Sequence, residues 1–335
     1  MTEFIPVNLI TGFLGSGKTT LLQRLLADPA LADTAVLINE FGEVGLDHHL
    51  LERIDETMVL LKSGCLCCTI RGELSEAIKE LYSKRERGLV PSFRRLVVES
   101  TGLADPFPIL STVQADPVLR HHFRLGNVIT TVDAVNGLGR PESIKQVAVA
   151  DRLVLTKTDI ADAAAVEALI AELRILNPDA PLLIAAEEKI DAAALIGDRF
   201  RSALRAVPAP REAPHGSVHS FSLAFEGALD WTMFGIWLTM LLHRHGTAVL
   251  RVKGILNVAG TPTPVAVHGV QHLVHPPVHM AAWPEEDRRS RLVFIVDGLE
   301  REAIERSLAA FLGLPASSIA TGRVLAPGDR KIANY

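Results

Sequence analysis

The amino-acid sequence predicts an α/β chain: a mostly parallel sheet with helices on both faces, followed by a smaller α+β domain. Three observations carry this expectation. Short apolar runs recur at 5–10, 35–38, 58–61, 95–99, 127–132, 152–155 and 181–185. Amphipathic, charge-laced stretches at 73–87 and 163–176 stand between them, and strands alternating with helices imply parallel pairing through right-handed crossovers. A single proline-dense stretch, 206–217, then divides the chain. The expected organisation is an α/β domain over 1–205, a linker over 206–217 and a second domain over 218–335.

The first run leads into Thr-Gly-Phe-Leu-Gly-Ser-Gly-Lys-Thr-Thr, in which Gly12, Gly17, Lys18 and Thr19 fill every fixed position of the G-x-x-x-x-G-K-[ST] phosphate loop. Glycines let the backbone take positive φ and approach a polyphosphate, and the following helix adds free N–H groups and the positive end of its dipole. Gly12, Gly15, Ser16, Gly17, Lys18, Thr19 and Thr20 are therefore expected to bind nucleotide. Lys18 supplies a charge for the β/γ-phosphates and Thr19 a hydroxyl for Mg²⁺. The first domain is thus expected to be of the phosphate-loop NTPase type.

The run at 35–38 ends in Asn39-Glu40-Phe-Gly-Glu43-Val-Gly, a polar loop at a strand's carboxyl end, which is where doubly wound sheets bind ligands. The run at 58–61 delivers Ser63-Gly-Cys-Leu-Cys-Cys68 to the same expected edge. The run at 95–99 ends in Glu99-Ser-Thr-Gly102. Glu99 is expected to hold Mg²⁺ or its waters together with Thr19, and Gly102 to offer its N–H to a γ-phosphate. Lys18, Glu99 and Gly102 form the expected catalytic group. The run at 152–155 ends in Thr156-Lys-Thr-Asp159, in the place of a guanine-reading N-K-x-D. The Asp159 carboxylate accepts the N1–H and N2–H₂ of guanine, which adenine cannot supply, while the Lys157 stem packs over the base. Thr156 replaces an asparagine whose amide would tie the base loop together, which puts the strictness of guanine preference in question.

Beyond the linker, strands are expected at 218–225, 248–258, 264–270 and 292–296, with helices at 230–243 and 299–312. Trp231, Phe234 and Trp237 fall at helical spacing and read as core. Eight of the 12 histidines lie from His215 onward, including His268, His272, His275 and His279, a spacing that fits either a second metal site or exposed histidines in a strand–turn region.

Composition narrows the function. The 335 residues carry a net charge of −5 with no long basic run, and aromatics make up 5%, which argues against a nucleic-acid or membrane partner. The mean hydropathy is +0.24. The longest nearly apolar run, 231–242, is too short for a bilayer. Glu3 and an apolar stretch that already forms the phosphate-loop strand argue against a signal peptide, so a cytoplasmic protein is expected. The three cysteines, Cys65, Cys67 and Cys68, lie within four residues and cannot build a disulfide framework. Three thiolates suit Zn²⁺, Cu⁺ or Co²⁺, with Glu40 and Glu43 as further candidate ligands; a buried or redox-active cluster is the alternative.

Together G-F-L-G-S-G-K-T-T, N-E-F-G-E-V-G, S-G-C-L-C-C, V-V-E-S-T-G-L-A-D-P and L-T-K-T-D resemble the CobW family of GTPases, relatives of UreG and HypB. The likeness continues in Val252-Lys-Gly-Ile-Leu, Val267-His-Gly-Val-Gln-His272 and Arg288-Arg-Ser-Arg-Leu-Val-Phe294. The resemblance implies hydrolysis of GTP with Mg²⁺, coupled to delivery of a transition metal, zinc foremost or cobalt, to a client metalloenzyme. It implies Cys65, Cys67 and Cys68 as metal thiolates and places Glu40 and Glu43 in a switch loop. A nucleotide- or metal-dependent homodimer is compatible with it. The competing readings are a cobalt-handling GTPase of cobalamin synthesis, a small-molecule kinase using the same phosphate loop, and a metal sensor in which slow GTP turnover is a timer.

Overall fold

The computed structural model describes residues 4–39, 58–61, 70–186, 191–196, 217–313 and 319–320. The chain divides into two compact units, Met1–Leu169 with Ala180–Arg201, and Ile170–Asp179 with Ser202–Tyr335.

The first unit is built on seven strands: β1 (Ile5–Gly12), β2 (Thr34–Asn39), β3 (Met58–Leu61), β4 (Arg95–Glu99), β5 (Phe123–Asp133), β6 (Arg152–Thr156) and β7 (Leu182–Ile184). Their order across the sheet is β3-β2-β4-β1-β5-β6-β7, and every pairing is parallel. The strands are therefore all directed to one carboxyl edge, as the apolar runs predict for a sheet covered on both faces. Ile10, Val36, Val97, Ile129 and Val154 of five strands pack with Leu21, Leu22 and Leu25 of α1 (Lys18–Leu26).

The remaining helices of this part of the chain are α2 (Ile70–Glu86), α3 (Pro106–Ala115), α4 (Pro117–His122), α5 (Pro141–Val149), α6 (Ala163–Leu176) and α7 (Ala192–Ile196). Three of them open on proline, which costs nothing in a first turn where the N–H has no intrahelical partner. Asp105 caps α3 through the Phe107 N–H, and Asp116 caps α4 through the N–H groups of Val118 and Leu119. One polar residue shapes the sheet interior: the fully buried Asn8 accepts the Asn127 N–H at 2.8 Å, where the β1–β5 register shifts.

The second unit is antiparallel. Its strands are β8 (Val218–Phe225), β9 (Val249–Leu256), β10 (Val265–Val270), β11 (Leu273–Val274), β12 (Val278–His279), β13 (Ser290–Asp297) and β14 (Ile319–Ala320). They run in the order β11-β10-β9-β13-β8-β14, with β12 paired to β10. Helices α8 (Trp231–His245) and α9 (Arg301–Leu312) close one face over Phe221, Phe225, Phe234, Trp237, Leu242, Phe294 and Leu308. Phe234 and Trp237 are buried as expected, whereas Trp231, in the first turn of α8, is 38% exposed. In β9, Arg251 and Lys253 are also buried, and Lys253 pairs with Asp179 at 2.7 Å. Among the described residues no helix is long and apolar enough to cross a membrane.

Candidate functional site

The carboxyl edge of the parallel sheet gathers the phosphate loop, the tip of β4 and the turn after β6. Between β1 and α1 the chain passes through Gly12, Gly15 and Gly17 with φ of 141°, 72° and 89°. A Cβ on Gly12 would fall 2.4 Å from the Thr131 carbonyl oxygen and 2.7 Å from Ser16 Oγ, so only glycine fits there. Ser16 Oγ and Thr131 Oγ1 share a hydrogen bond of 2.6 Å, which fastens the loop to β5. Lys18, 8% exposed, lies over the loop with Nζ donating to the Phe13 carbonyl at 3.1 Å.

Thr19 Oγ1 donates to Glu99 Oε1 at 2.7 Å, although 80 residues separate them. A hydroxyl and a carboxylate at that spacing are hard oxygen donors of the kind Mg²⁺ takes, so the residues present fit the ion. Beyond Glu99, the Ser100 N–H donates to the Ile10 carbonyl and Ser100 Oγ to Thr11 Oγ1, tying β4's end to β1. Gly102 then meets the phosphate loop so closely that a Cβ would lie 2.5 Å from the Leu14 nitrogen.

At β6, the single hydroxyl hydrogen of Thr156 is shared between the Ser16 carbonyl at 2.9 Å and that of Val132 at 3.2 Å. Its methyl stands 3.4 Å from where a Gly17 Cβ would be. The tie that an asparagine would have made is thus supplied by a shorter hydroxyl, directly onto the phosphate loop. Lys157 takes a left-handed φ of 59° and its ammonium bonds the Asp133 carboxylate at the end of β5. Burial pushes the Asp133 carboxyl up, but Lys157, the Val135 N–H and the Asn136 amide outweigh this and hold it below the ordinary value. Asp159 is exposed beside this turn, open to a base. Asp133 belongs to no motif in the sequence; its one signal there is an acid ending the strand that pairs with the one leading into T-K-T-D.

Glu40, Glu43, Cys65, Cys67 and Cys68 lie outside the described residues. Their flanking strands do not: β2 and β3 are paired, with Asn39 opposite Leu61 at the carboxyl edge, and β2 is paired in turn with β4 up to Ile38 opposite Glu99. Among the described residues no group of three or more potential metal ligands assembles. The four C-terminal histidines are separated in role. His268 and His275 are buried with ring centroids 6.5 Å apart, His272 Nδ1 bonds the Leu242 carbonyl at 2.9 Å, and His279 pairs opposite Val265.

Residues 6–184 match the family described as CobW/HypB/UreG, nucleotide-binding domain, and residues 218–312 match the cobalamin synthesis protein cobW C-terminal domain. The chain is 34% identical over 320 residues to the zinc chaperone YjiA of Escherichia coli, covering 92% of this chain and 98% of that protein. Over 167 residues it is 35% identical to the zinc-regulated GTPase metalloprotein activator 1 of Schizosaccharomyces pombe, covering 47% of this chain and 39% of that one. The crystal structure of Zn(II)-bound YjiA GTPase from E. coli superposes with a TM-score of 0.69 at 30% identity, over 92% of this chain and 99% of that one.

Proposed function

The chain belongs to the CobW/HypB/UreG family of nucleotide-binding proteins, and from that premise we propose that it is a GTP-hydrolysing zinc chaperone. In this reading it loads zinc on Cys65, Cys67 and Cys68, with Glu40 and Glu43 as further ligands, and hands it to a client metalloprotein according to the nucleotide bound. The relative named as a zinc chaperone and the one named as a zinc-regulated GTPase metalloprotein activator support the metal and the client.

The observation that carries the proposal is the 2.7 Å contact of Thr19 with Glu99, beside strands that lead into the acidic and cysteine segments. Lys18 neutralises the β/γ-phosphates from its place over the loop, where its ammonium donates to the Phe13 carbonyl. Thr19 and Glu99 hold Mg²⁺, which when bound offsets the charge developing on the transferred phosphoryl group. Gly102, pressed against Leu14, offers its N–H where only a triphosphate reaches. Asp159 reads the guanine edge, with Lys157 braced by Asp133 beneath it. Zinc is cargo: three soft thiolates on one short segment leave a coordination position that ligand exchange with a client can use.

Phosphate release with GTP and ATP, alongside metal content after anaerobic purification, tests the reading. The wild type is expected to hydrolyse GTP in preference to ATP and to retain zinc. Lys18→Ala should lower turnover by at least a hundredfold while the protein remains folded, since the lysine acts on phosphate charge rather than on packing. Equal use of ATP and GTP, or a folded Lys18→Ala protein with normal turnover, contradicts it.

A further inference from the structure

Gln146 lies on α5, outside every motif the sequence displays, and is 1% exposed. Its Nε2 donates to the Gly102 carbonyl at 3.1 Å and to the Ala104 carbonyl at 3.2 Å. Two carbonyl acceptors consume both amide hydrogens and leave no choice in which way the amide faces. Its own backbone carbonyl accepts from Thr130 Oγ1 at 2.9 Å, so the residue is braced on β5 as it reaches across. Oε1 is buried with no partner among the described residues. An unmet buried acceptor is a cost that methionine in the same space would avoid, so the glutamine's usefulness lies in its two donors.

Those donors act on a segment already fixed at its start. Ser100 is bound to Ile10 and Thr11 of β1, and Gly102 is wedged on the backbone of Leu14. Between Ser100 and the clamped Gly102 carbonyl lies the Thr101–Gly102 peptide, whose N–H the GTPase reading aims at the γ-phosphate. Turning the Gly102 and Ala104 carbonyls toward α5 leaves that peptide little freedom to rotate.

We propose that Gln146 is a positioning residue for triphosphate recognition: its amide holds the Gly102 segment in the pose that meets the γ-phosphate. This rests on the GTPase reading above. A diphosphate does not reach Gly102, so loss of the clamp should spare GDP and penalise GTP, whereas a residue that only filled the core would affect both alike.

The test uses the full-length protein with Gln146→Met, which keeps the volume and removes the donors, and Gln146→Glu, which can donate only when protonated. Titrations with fluorescent GDP and a non-hydrolysable GTP analogue, and phosphate-release kinetics, are run for each. Both variants should bind GDP within about twofold of wild type. Gln146→Met should bind the GTP analogue about tenfold more weakly and turn over about tenfold more slowly, a change on the scale of one hydrogen bond. The deficit of Gln146→Glu should shrink as pH falls from 8 to 6, as its carboxyl regains a donor. Parallel losses of GDP and GTP-analogue affinity, or no loss of either, overturn the assignment. Should Gln146→Met not fold, a pH-independent deficit in Gln146→Glu overturns it equally. A wild type that releases no phosphate from GTP defeats the GTPase reading and this assignment together, while a GTP-hydrolysing wild type with an unaffected Gln146→Met defeats the assignment alone.

Discussion

At the carboxyl edge of the parallel sheet, closure is polar: Ser16 with Thr131, Thr19 with Glu99, Ser100 with Thr11, and Thr156 with Ser16. In the antiparallel unit, closure is by packing: Phe221 stacks on Phe294 at 5.3 Å, and Phe234 and Trp237 fill the space beneath α8. The two solutions differ in what they leave available. An apolar core has no group to offer a ligand. The polar edge is a set of hydroxyls, carboxylates and backbone groups that hold one another at hydrogen-bond distance, and the proposed function exchanges those partners for phosphate and Mg²⁺. Buried polar contacts contribute modest net stability but fix geometry closely.

Breaking the packed region should have the largest effect on stability. Trp237 is 2% exposed and its Nε1 donates to Ser307 Oγ at 2.9 Å. Trp237→Ala should cost about 3–5 kcal/mol through the cavity it leaves, read from denaturant unfolding of that unit. At the polar edge, Thr156→Val keeps the shape against Gly17 and removes the hydroxyl bound to Ser16 and Val132. It should cost only about 1–2 kcal/mol yet weaken GDP and GTP alike, because it releases the turn that carries Lys157 and Asp159. A Thr156→Val protein with unchanged nucleotide affinity would show that the tie is structural only.

The smallest expected effect is electrostatic. Asp116 is held at about 2, chiefly by the Ser75 hydroxyl, with the Leu119 N–H, Lys79 and the Val118 N–H outweighing burial, which opposes them. A depressed carboxylate contributes stability that is complete above its ordinary value of 3.8 and is lost as pH falls from about 4 to about 2. Asp116→Asn keeps an N-cap but loses the charge. Its unfolding free energy at pH 7 should fall below wild type by about 1 kcal/mol or less, as for a partly solvated group, with the gap closing by pH 2 in denaturant unfolding.

Much of the polar edge was legible because it is written in contiguous motifs. The phosphate loop reads alone, Glu99 and T-K-T-D read from their order behind it, and strict parallel pairing brings their ends together. What was not legible rests on distant pairs or on ambiguous punctuation. Asp105-Pro106, Asp116-Pro117 and Arg140-Pro141 start helices, yet proline in a sequence signals a break as readily as a first turn. Thr156 reads as the loss of an amide, and only its 2.9 Å bond to Ser16, 140 residues away, shows the tie to be kept. Gln146 carries no local signature, because its partners lie 42 and 44 residues away. Trp231 shares the helical spacing of Phe234 and Trp237 but is the first residue of α8 and stays 38% exposed, which spacing alone does not reveal.

The central claim is that nucleotide and zinc read one another across the edge where β2, β3 and β4 end. Competition titration of Zn²⁺ on the full-length protein in the nucleotide-free, GDP and GTP-analogue states measures this directly. Thiolates must lose their protons to bind, so loading should also release protons and weaken as pH falls. A coupling of about 1–3 kcal/mol, or roughly 5–150-fold in zinc affinity, is expected between the GDP and GTP-analogue states, with zinc changing the ratio of GTP-analogue to GDP affinity by the same factor. Cys67→Ser and Glu43→Ala should each diminish it. Zinc affinity identical in all three nucleotide states would contradict the account, however tightly each ligand binds alone.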